Sequence, residues 1–585
     1  MFFDKNKNRH PAAAGRFASY GEIVSNFACF VYNSKISEQD KAVRRFKNFY
    51  YFFAASAVSL ILAIIITMSL NADAPFFASA GNPLAISGEY LTLWIILFFI
   101  LIFAGNKINR PADMRGGFKF SDKNTAAGFR LDKPFELGIL KGAGNKKFPD
   151  VLIGLDEKKR YEHTLIISPT GGGKTSRYIV PGIAADAGFS DTSVFAIDID
   201  SPYLYGAVKS GWIKAGKNVV HFDPYEYESY DGRKKIYFNP LIGKDKNPLS
   251  DEKLLDLSSM LFHLDGNEIK GGDIHAHKYY SKRSSDLFYS CLLYLKHRYG
   301  AKHFDLFTIK SFFERGVKFI EGEIVKFNGV DGKGKKIKNL FNNFLELPIY
   351  ERAKVVTDIL NNLDFLNDSK VGSRFKCKED GDCFFTEDFF INDMLFIAGI
   401  PKEKINSGGG RLISFITQIF IDGIYESRRK ALREENSDGR SFFIYLDEFP
   451  VLTLNDFDVE LANLRKTNTG VCLTVQDIAF LKNRYGDISL ITSNIGTHIV
   501  MGHAGWETCR YYSEMSGERY VFHKESVKKH INPVFASFPS SSDYGETPVA
   551  SGLYPLISSD ELKNMNRNSV FIYTKYVNPF ILNLK

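Results

Sequence analysis

Two stretches near the amino end carry no charged residue: Tyr50 to Leu70, YYFFAASAVSLILAIIITMSL, and Tyr90 to Ala104, YLTLWIILFFILIFA. At about 1.5 Å per residue the first reaches roughly 30 Å, enough to cross a bilayer's hydrocarbon core. The second is shorter and spans with help from its flanks, which puts Glu89 near an interface. Beyond residue 125 the pattern changes. Short apolar runs of strand length at 164–168, 194–198, 218–223, 394–401, 442–446 and 470–476 alternate with segments whose apolar residues recur at three and four. Such runs predict an α/β fold with a mostly parallel sheet buried on both faces. Between 245 and about 390 the strand runs give way to helical patterns such as DEKLLDLSSMLFH and RSSDLFYSCLLYLKHRYG. The stretch NGVDGKGKKIKNL, 328–340, reads as a flexible glycine-lysine segment. No internal repeat of solenoid period is present.

Charge orients the apolar runs. Lys41, Arg44, Arg45 and Lys47 precede the first, Lys107, Arg110, Arg115 and Lys119 follow the second, and the loop Asn71–Glu89 has no Lys or Arg. The positive-inside rule then predicts a transmembrane hairpin with both termini in the cytoplasm, and flanking cations that suit anionic lipid. The net charge of +8 over 585 residues permits an acidic partner without demanding one. The six cysteines show no zinc-ligand spacing and read as reduced thiols. Lys333, Lys335, Lys336 and Lys338 are candidates for phosphate contact without base readout.

The chemistry concentrates in IISPTGGGKTSRY, 166–178. A strand, a turn of small residues and a helix start make a phosphate cradle, because backbone N–H groups and the helix N-terminus converge on an anion. Ser168, Pro169, Thr170, Gly171, Gly172 and Gly173 form the candidate turn, Lys174 adds a point charge, and Thr175, with Ser176 beside it, offers a hydroxyl to Mg²⁺. Ser168 stands where such a turn usually starts with glycine, and its small size predicts tolerance. The helix is expected to break near Pro181. A second metal carboxylate is expected from a neighbouring strand, and FFIYLDEFPVL, 442–452, supplies Asp447 for the metal and Glu448 to deprotonate an attacking water. A further strand ends in Gln476, placed to sense a terminal phosphate or position water. Arg465, just before that strand, is a candidate arginine finger for a neighbouring subunit. Together these describe a RecA-like P-loop NTPase core using ATP and Mg²⁺.

With these residues in view, the chain resembles the VirD4/TraG coupling proteins of type IV secretion and conjugation systems over nearly its whole length. SPTGGGKT resembles the family's phosphate turn, HFDPYEYES with YFNPL its Phe-Asp-Pro and Asn-Pro-Leu segment, YLDEFPVL its acidic strand, and TVQDIAFLKNRYG with SNIGTHIVMGHAGWETCRYYSEMSGE its later motor segments. One departure stands out: after Asp198 the family's Asp-x-Lys-Gly-Glu is replaced by Asp200, Ser201 and Pro202. The resemblance implies a cytoplasmic segment 1–48, a transmembrane hairpin 49–106, a nucleotide-binding domain in two parts, 107–244 and 391–585, and an inserted all-α domain 245–390. It further implies a homo-hexamer in the bacterial inner membrane. That assembly would couple a relaxase and single-stranded DNA to the secretion channel by ATP hydrolysis. Another reading of the same scaffold is a receptor for protein effectors; readings of other classes are a non-hydrolysing membrane scaffold and a chromosome-segregation translocase.

Overall fold

A computed structural model describes residues 135–140, 151–225, 235–263, 274–376, 383–434, 439–454, 456–528 and 544–584. The hairpin expected at 49–106 lies outside them, as does the segment 1–48; among the described residues no helix is long and apolar enough to cross a membrane. The chain divides into two compact units, one of residues 119–517 with 556–585 and one of 1–118 with 518–555.

The larger unit is built on a single sheet. Its strands are β1 (Phe135–Leu140), β2 (Val151–Leu155), β3 (Thr164–Ile167), β4 (Thr192–Asp198) and β5 (Asn218–Phe222), with a two-residue pair β6 (Tyr237–Phe238) and β7 (Cys383–Phe384) set apart. Then come β8 (Met394–Gly399), β9 (Ser441–Leu446), β10 (Thr469–Val475) and β11 (Thr497–Met501). In the smaller unit, β12 (Glu518–Lys528) and β13 (Tyr544–Pro555) form an antiparallel ribbon. Back in the larger unit, β14 (Ser569–Thr574) and β15 (Phe580–Asn583) complete the sheet. Its order is β2-β1-β15-β14-β11-β3-β10-β9-β4-β8-β5. The pairs from β5 through to β11 are parallel, and the remaining pairs are antiparallel.

Strand alternation sorts the core into two layers. On one face Val194 and Ala196 meet Ile179, Ile183, Leu204, Val208 and Trp212, which belong to the helix after β3 and to the helices α1 (Val180–Asp186) and α2 (Tyr203–Lys214). On the other, Phe195 and Ile197 share a cluster with Phe396, Phe415, Ile416 and Phe420. β4 and β10 are buried at every position, so their continuous apolar runs carry no alternation to read.

Between β6 and β7 the chain is helical: α3 (Asp251–His263), α4 (Ile274–Tyr299), α5 (Leu306–Glu314), α6 (Val317–Lys326), α7 (Gly332–Leu345) and α8 (Ile349–Asn362). The long α4 packs against α3, α7 and α8 through buried Leu287, Phe288, Leu292 and Tyr294. The parallel pairing Tyr237↔Cys383 and Phe238↔Phe384 brings the entry and exit of this insertion side by side. The glycine-lysine stretch is not a flexible segment. Asp331 caps α7 by accepting from the Gly334 N–H at 2.7 Å, and Ile337, Phe341 and Phe344 are buried beneath it. A side-chain cap and an apolar stripe outweigh the poor helix propensity of the two glycines. Lys333, Lys335, Lys336 and Lys338 form its solvated side. After β8 comes the helix α9 (Gly410–Arg433), and after β10 and β11 come α10 (Ile478–Tyr485) and α11 (Trp506–Met515).

Candidate phosphate site

The glycine turn follows β3 at the C-terminal edge of the parallel strands, where ligands bind in open α/β sheets. Gly171 and Gly173 have φ of +75° and +89°, a region that L side chains rarely adopt. Gly172 is required for a different reason: a Cβ there would lie 2.1 Å from Ser168 Oγ. Ser168 is fully buried and still extends the sheet, its N–H donating to the Val475 carbonyl at 3.1 Å. Its backbone is not among those with positive φ, so this position has no conformational need for glycine. Pro181 does not break the following helix. A single π turn, Thr175–Ile179, leads into α1, which places Pro181 in the first turn of the α segment, where its missing N–H costs little.

The acidic pair reaches this turn from β9, which is not β3's neighbour. β10 lies between them, a correction to the expected adjacency. The Thr175 hydroxyl donates to Asp447 Oδ2 at 2.7 Å, and Lys174 Nζ stands 2.6 Å from Glu448 Oε1. Lys174 is buried, and Glu448 has a left-handed backbone, φ 53° and ψ 48°, that turns it away from the strand path. The intervening strand supplies two further groups. Thr474 bonds Asp447 through its hydroxyl and accepts from the Glu448 N–H at 3.0 Å. Gln476 Nε2 donates to both Glu448 oxygens at 3.1 and 3.0 Å, and Gln476 Oε1 accepts from Thr170 at 3.0 Å. The turn, the central strand and the acidic strand are therefore joined by one continuous set of bonds.

A buried network stiffens the same elements from below. Arg160 forms a fork on Asp186, at 2.6 and 2.9 Å, and donates to Tyr445 Oη at 2.8 Å, while Tyr445 donates to Asp186 at 2.7 Å. Asp186 ends α1 and Tyr445 lies on β9, so the helix carrying the turn is tied to the acidic strand. Asp198, at the tip of β4 beside β9, caps the next helix by accepting from the Leu204 N–H at 2.8 Å. Burial pushes its carboxyl up to about 6, with backbone N–H bonds opposing and the Asp447 charge adding to the rise.

Residues 441–567 match the family described as the TraM recognition site of TraD and TraG. This match supports a TraG/VirD4-type coupling protein. Among solved structures, the bacterial conjugative coupling protein TrwB, in its trigonal form in complex with sulphate, superposes with a TM-score of 0.50 at 13% identity, covering 80% of this chain and 94% of that one. TrwB in complex with ADP and Mg²⁺ gives a TM-score of 0.49 at 15% identity, again over 80% and 94%. The likeness at 0.50 is one of fold, an α/β architecture with a large sheet and a helical domain. No curated protein matches the chain.

In this α/β fold, Ser168, Pro169, Thr170, Gly171, Gly172, Gly173, Lys174, Thr175, Asp447, Glu448 and Gln476 lie at one edge of the sheet. Ser176 is exposed, its hydroxyl turned back to the Gly173 carbonyl at 3.3 Å. Arg465 is not brought to the turn. It lies before β10, at the opposite end of strands that run parallel to β3, and pairs with Glu162 at 2.7 Å. Sequence reasoning missed Thr474. Its signal was its position two residues before Gln476, on the same face of a strand.

Proposed function

We propose that the chain is a membrane-anchored ATPase that recruits a relaxase–DNA substrate and drives its transfer through a type IV secretion channel, as a homo-hexamer in the bacterial inner membrane. The domain bounds and the transmembrane hairpin 49–106 are part of this reading. The observation that carries it is the pairing of Thr175 with Asp447 and of Lys174 with Glu448 across an intervening strand. The donor set fits a nucleoside triphosphate with a magnesium ion. Positive-φ glycines leave backbone N–H groups able to face an anion, and a hydroxyl and a carboxylate sit together as a hard cation requires. Thr175 and Asp447 would hold Mg²⁺, which when bound spreads the negative charge of the phosphates. Lys174 would exchange Glu448 for a terminal phosphate. Glu448, held by Gln476, would then accept the proton of the attacking water. Arg465, at the far edge, would serve a nucleotide only in a neighbouring subunit.

The test is ATP turnover by the full chain in detergent, with and without single-stranded DNA, alongside plasmid transfer in cells. Lys174→Ala and Glu448→Gln should each abolish both. Turnover absent from the unaltered chain, or unchanged in Glu448→Gln, would overturn the motor reading in favour of a non-hydrolysing scaffold. Loss of effector delivery with intact plasmid transfer would point to an effector receptor.

A further inference from the structure

A cavity of about 400 Å³ opens at the same edge of the sheet but beside α9, on the face away from α1. Its walls come from the segments that follow β8, β9 and β10, together with Asp364 from the end of the helical insertion. Two guanidinium groups line it, those of Arg411 and Arg484. Both are fixed by contacts with their surroundings. Arg484 Nε donates to the Leu452 carbonyl at 3.1 Å, and the same side chain bonds the Thr453 hydroxyl. Arg411 Nη1 donates to the Asn361 carbonyl at 2.6 Å and lies 3.5 Å from Asp364 Oδ1. Anchored planes of this kind are preorganised for an oxyanion, since a guanidinium presents its N–H donors in a rigid fork that matches phosphate. None of the residues lining the cavity is aromatic. It therefore has no aromatic platform on which a base could stack, and its guanidinium groups are the groups that match a phosphate.

We propose that this cavity is a second phosphate-oxyanion site, distinct from the turn at 171–175, that grips a backbone phosphate of single-stranded nucleic acid. The choice of nucleic acid rests on the motor reading above; the oxyanion chemistry does not. Position gives the site a consequence. Pro450 and Val451 form one wall, directly after Phe449 and the catalytic candidate Glu448, and Asp364 forms another. An entering phosphate competes with Asp364 for Arg411, so occupancy is felt both at the base of the helical insertion and at the segment carrying Glu448.

The experiment uses the full chain in detergent, a fluorescent oligothymidylate read by anisotropy at several salt concentrations, and a parallel titration with inorganic phosphate alone. Arg411→Gln and Arg484→Gln are each expected to weaken oligonucleotide binding about tenfold or more and to lower the salt slope by about one, and in Arg411→Gln turnover in the absence of DNA is held within about twofold. Arg411→Lys should recover part of the affinity. If the substitutions weaken only the binding of inorganic phosphate, the site takes a free anion and the nucleic-acid assignment is wrong. Unchanged affinity and slope in both arms would overturn the site altogether. Because Arg484 also holds the segment after Glu448, a loss of folding in Arg484→Gln leaves the Arg411 pair of variants to decide. A chain without ATPase activity that still loses oligonucleotide affinity in these variants would sink the motor reading and leave the oxyanion site standing.

Discussion

The molecule contains two turns of three glycines followed by a cation, Gly171–Gly173 before Lys174 and Gly408–Gly410 before Arg411, and each opens a helix at the same edge of one sheet. Both hold positive-φ glycines, Gly171 and Gly173 in the first and Gly408 in the second, but their surroundings differ. At Gly171 a side chain would meet nothing within 4 Å, and the backbone is kept open by its positive φ alone. At Gly409 a Cβ would lie 2.3 Å from Ile400 Cδ1 and 2.6 Å from the Lys404 carbonyl, and at Gly408 it would lie 2.7 Å from Asp364. The first turn is an exposed cradle and the second is a packing joint. Three glycines and a cation are thus no signature in themselves. What separates the two is the partner across the edge: a hydroxyl and two acids at the first, and a cavity lined by guanidinium side chains at the second.

Substitutions sharpen this contrast. The largest expected effect is on turnover: Lys174→Ala should lower ATP hydrolysis by about 10²-fold or more, while Arg411→Ala leaves DNA-independent turnover nearly unchanged. Equal losses in a steady-state assay would erase the distinction between the turns. Next, Gly409→Ala should cost about 3 kcal/mol of stability in denaturant melts, because a backbone carbonyl blocks the methyl group, whereas Gly171→Ala should cost roughly 1 kcal/mol and act mainly on nucleotide binding. A smaller effect tests Ser168. Gly172→Ala should impair nucleotide affinity through its clash with Ser168 Oγ, and adding Ser168→Gly should restore about 1 kcal/mol of it; additive losses in the double-mutant cycle would mean the two positions are not coupled.

The smallest effect is one of pH. Asp198 holds its proton more tightly folded than unfolded, so its contribution favours the fold in acid and is lost as pH rises through about 6. Relative to Asp198→Asn, the unaltered chain should lose about 1 kcal/mol between pH 5 and 7. A gap that stays constant across that range would show that the carboxyl titrates normally.

Much of this was legible in the sequence because the signals are local. Buried strands announce themselves as apolar runs, and the strands expected at 164–168, 194–198 and 442–446 correspond to β3, β4 and β9 within a residue or two. Residues fixed by a turn or a strand end, such as Lys174 and Asp447, follow from those runs. Strand order does not, since it depends on pairing between segments hundreds of residues apart, and the sequence alone suggests β9 beside β3. Likewise the sequence of α7 reads as a flexible segment because its lysines and glycines dominate, while the cap at Asp331 and the apolar stripe within Gly332–Leu345 are dispersed signals. The pairing of Arg465 with Glu162 and the cavity beside α9 rest on tertiary contacts that no single segment displays.

Placing β10 between β3 and β9 also sets a length. Neighbouring strands are spaced by about 4.8 Å, so skipping one opens a gap of roughly 10 Å between the strand that leads into the cradle and the strand that bears the acids. Across that distance the side chains of Lys174 and Thr175 meet those of Glu448 and Asp447. The interleaved strand acts as a spacer, and Thr474 and Gln476 at its tip bridge to the acids on the far side.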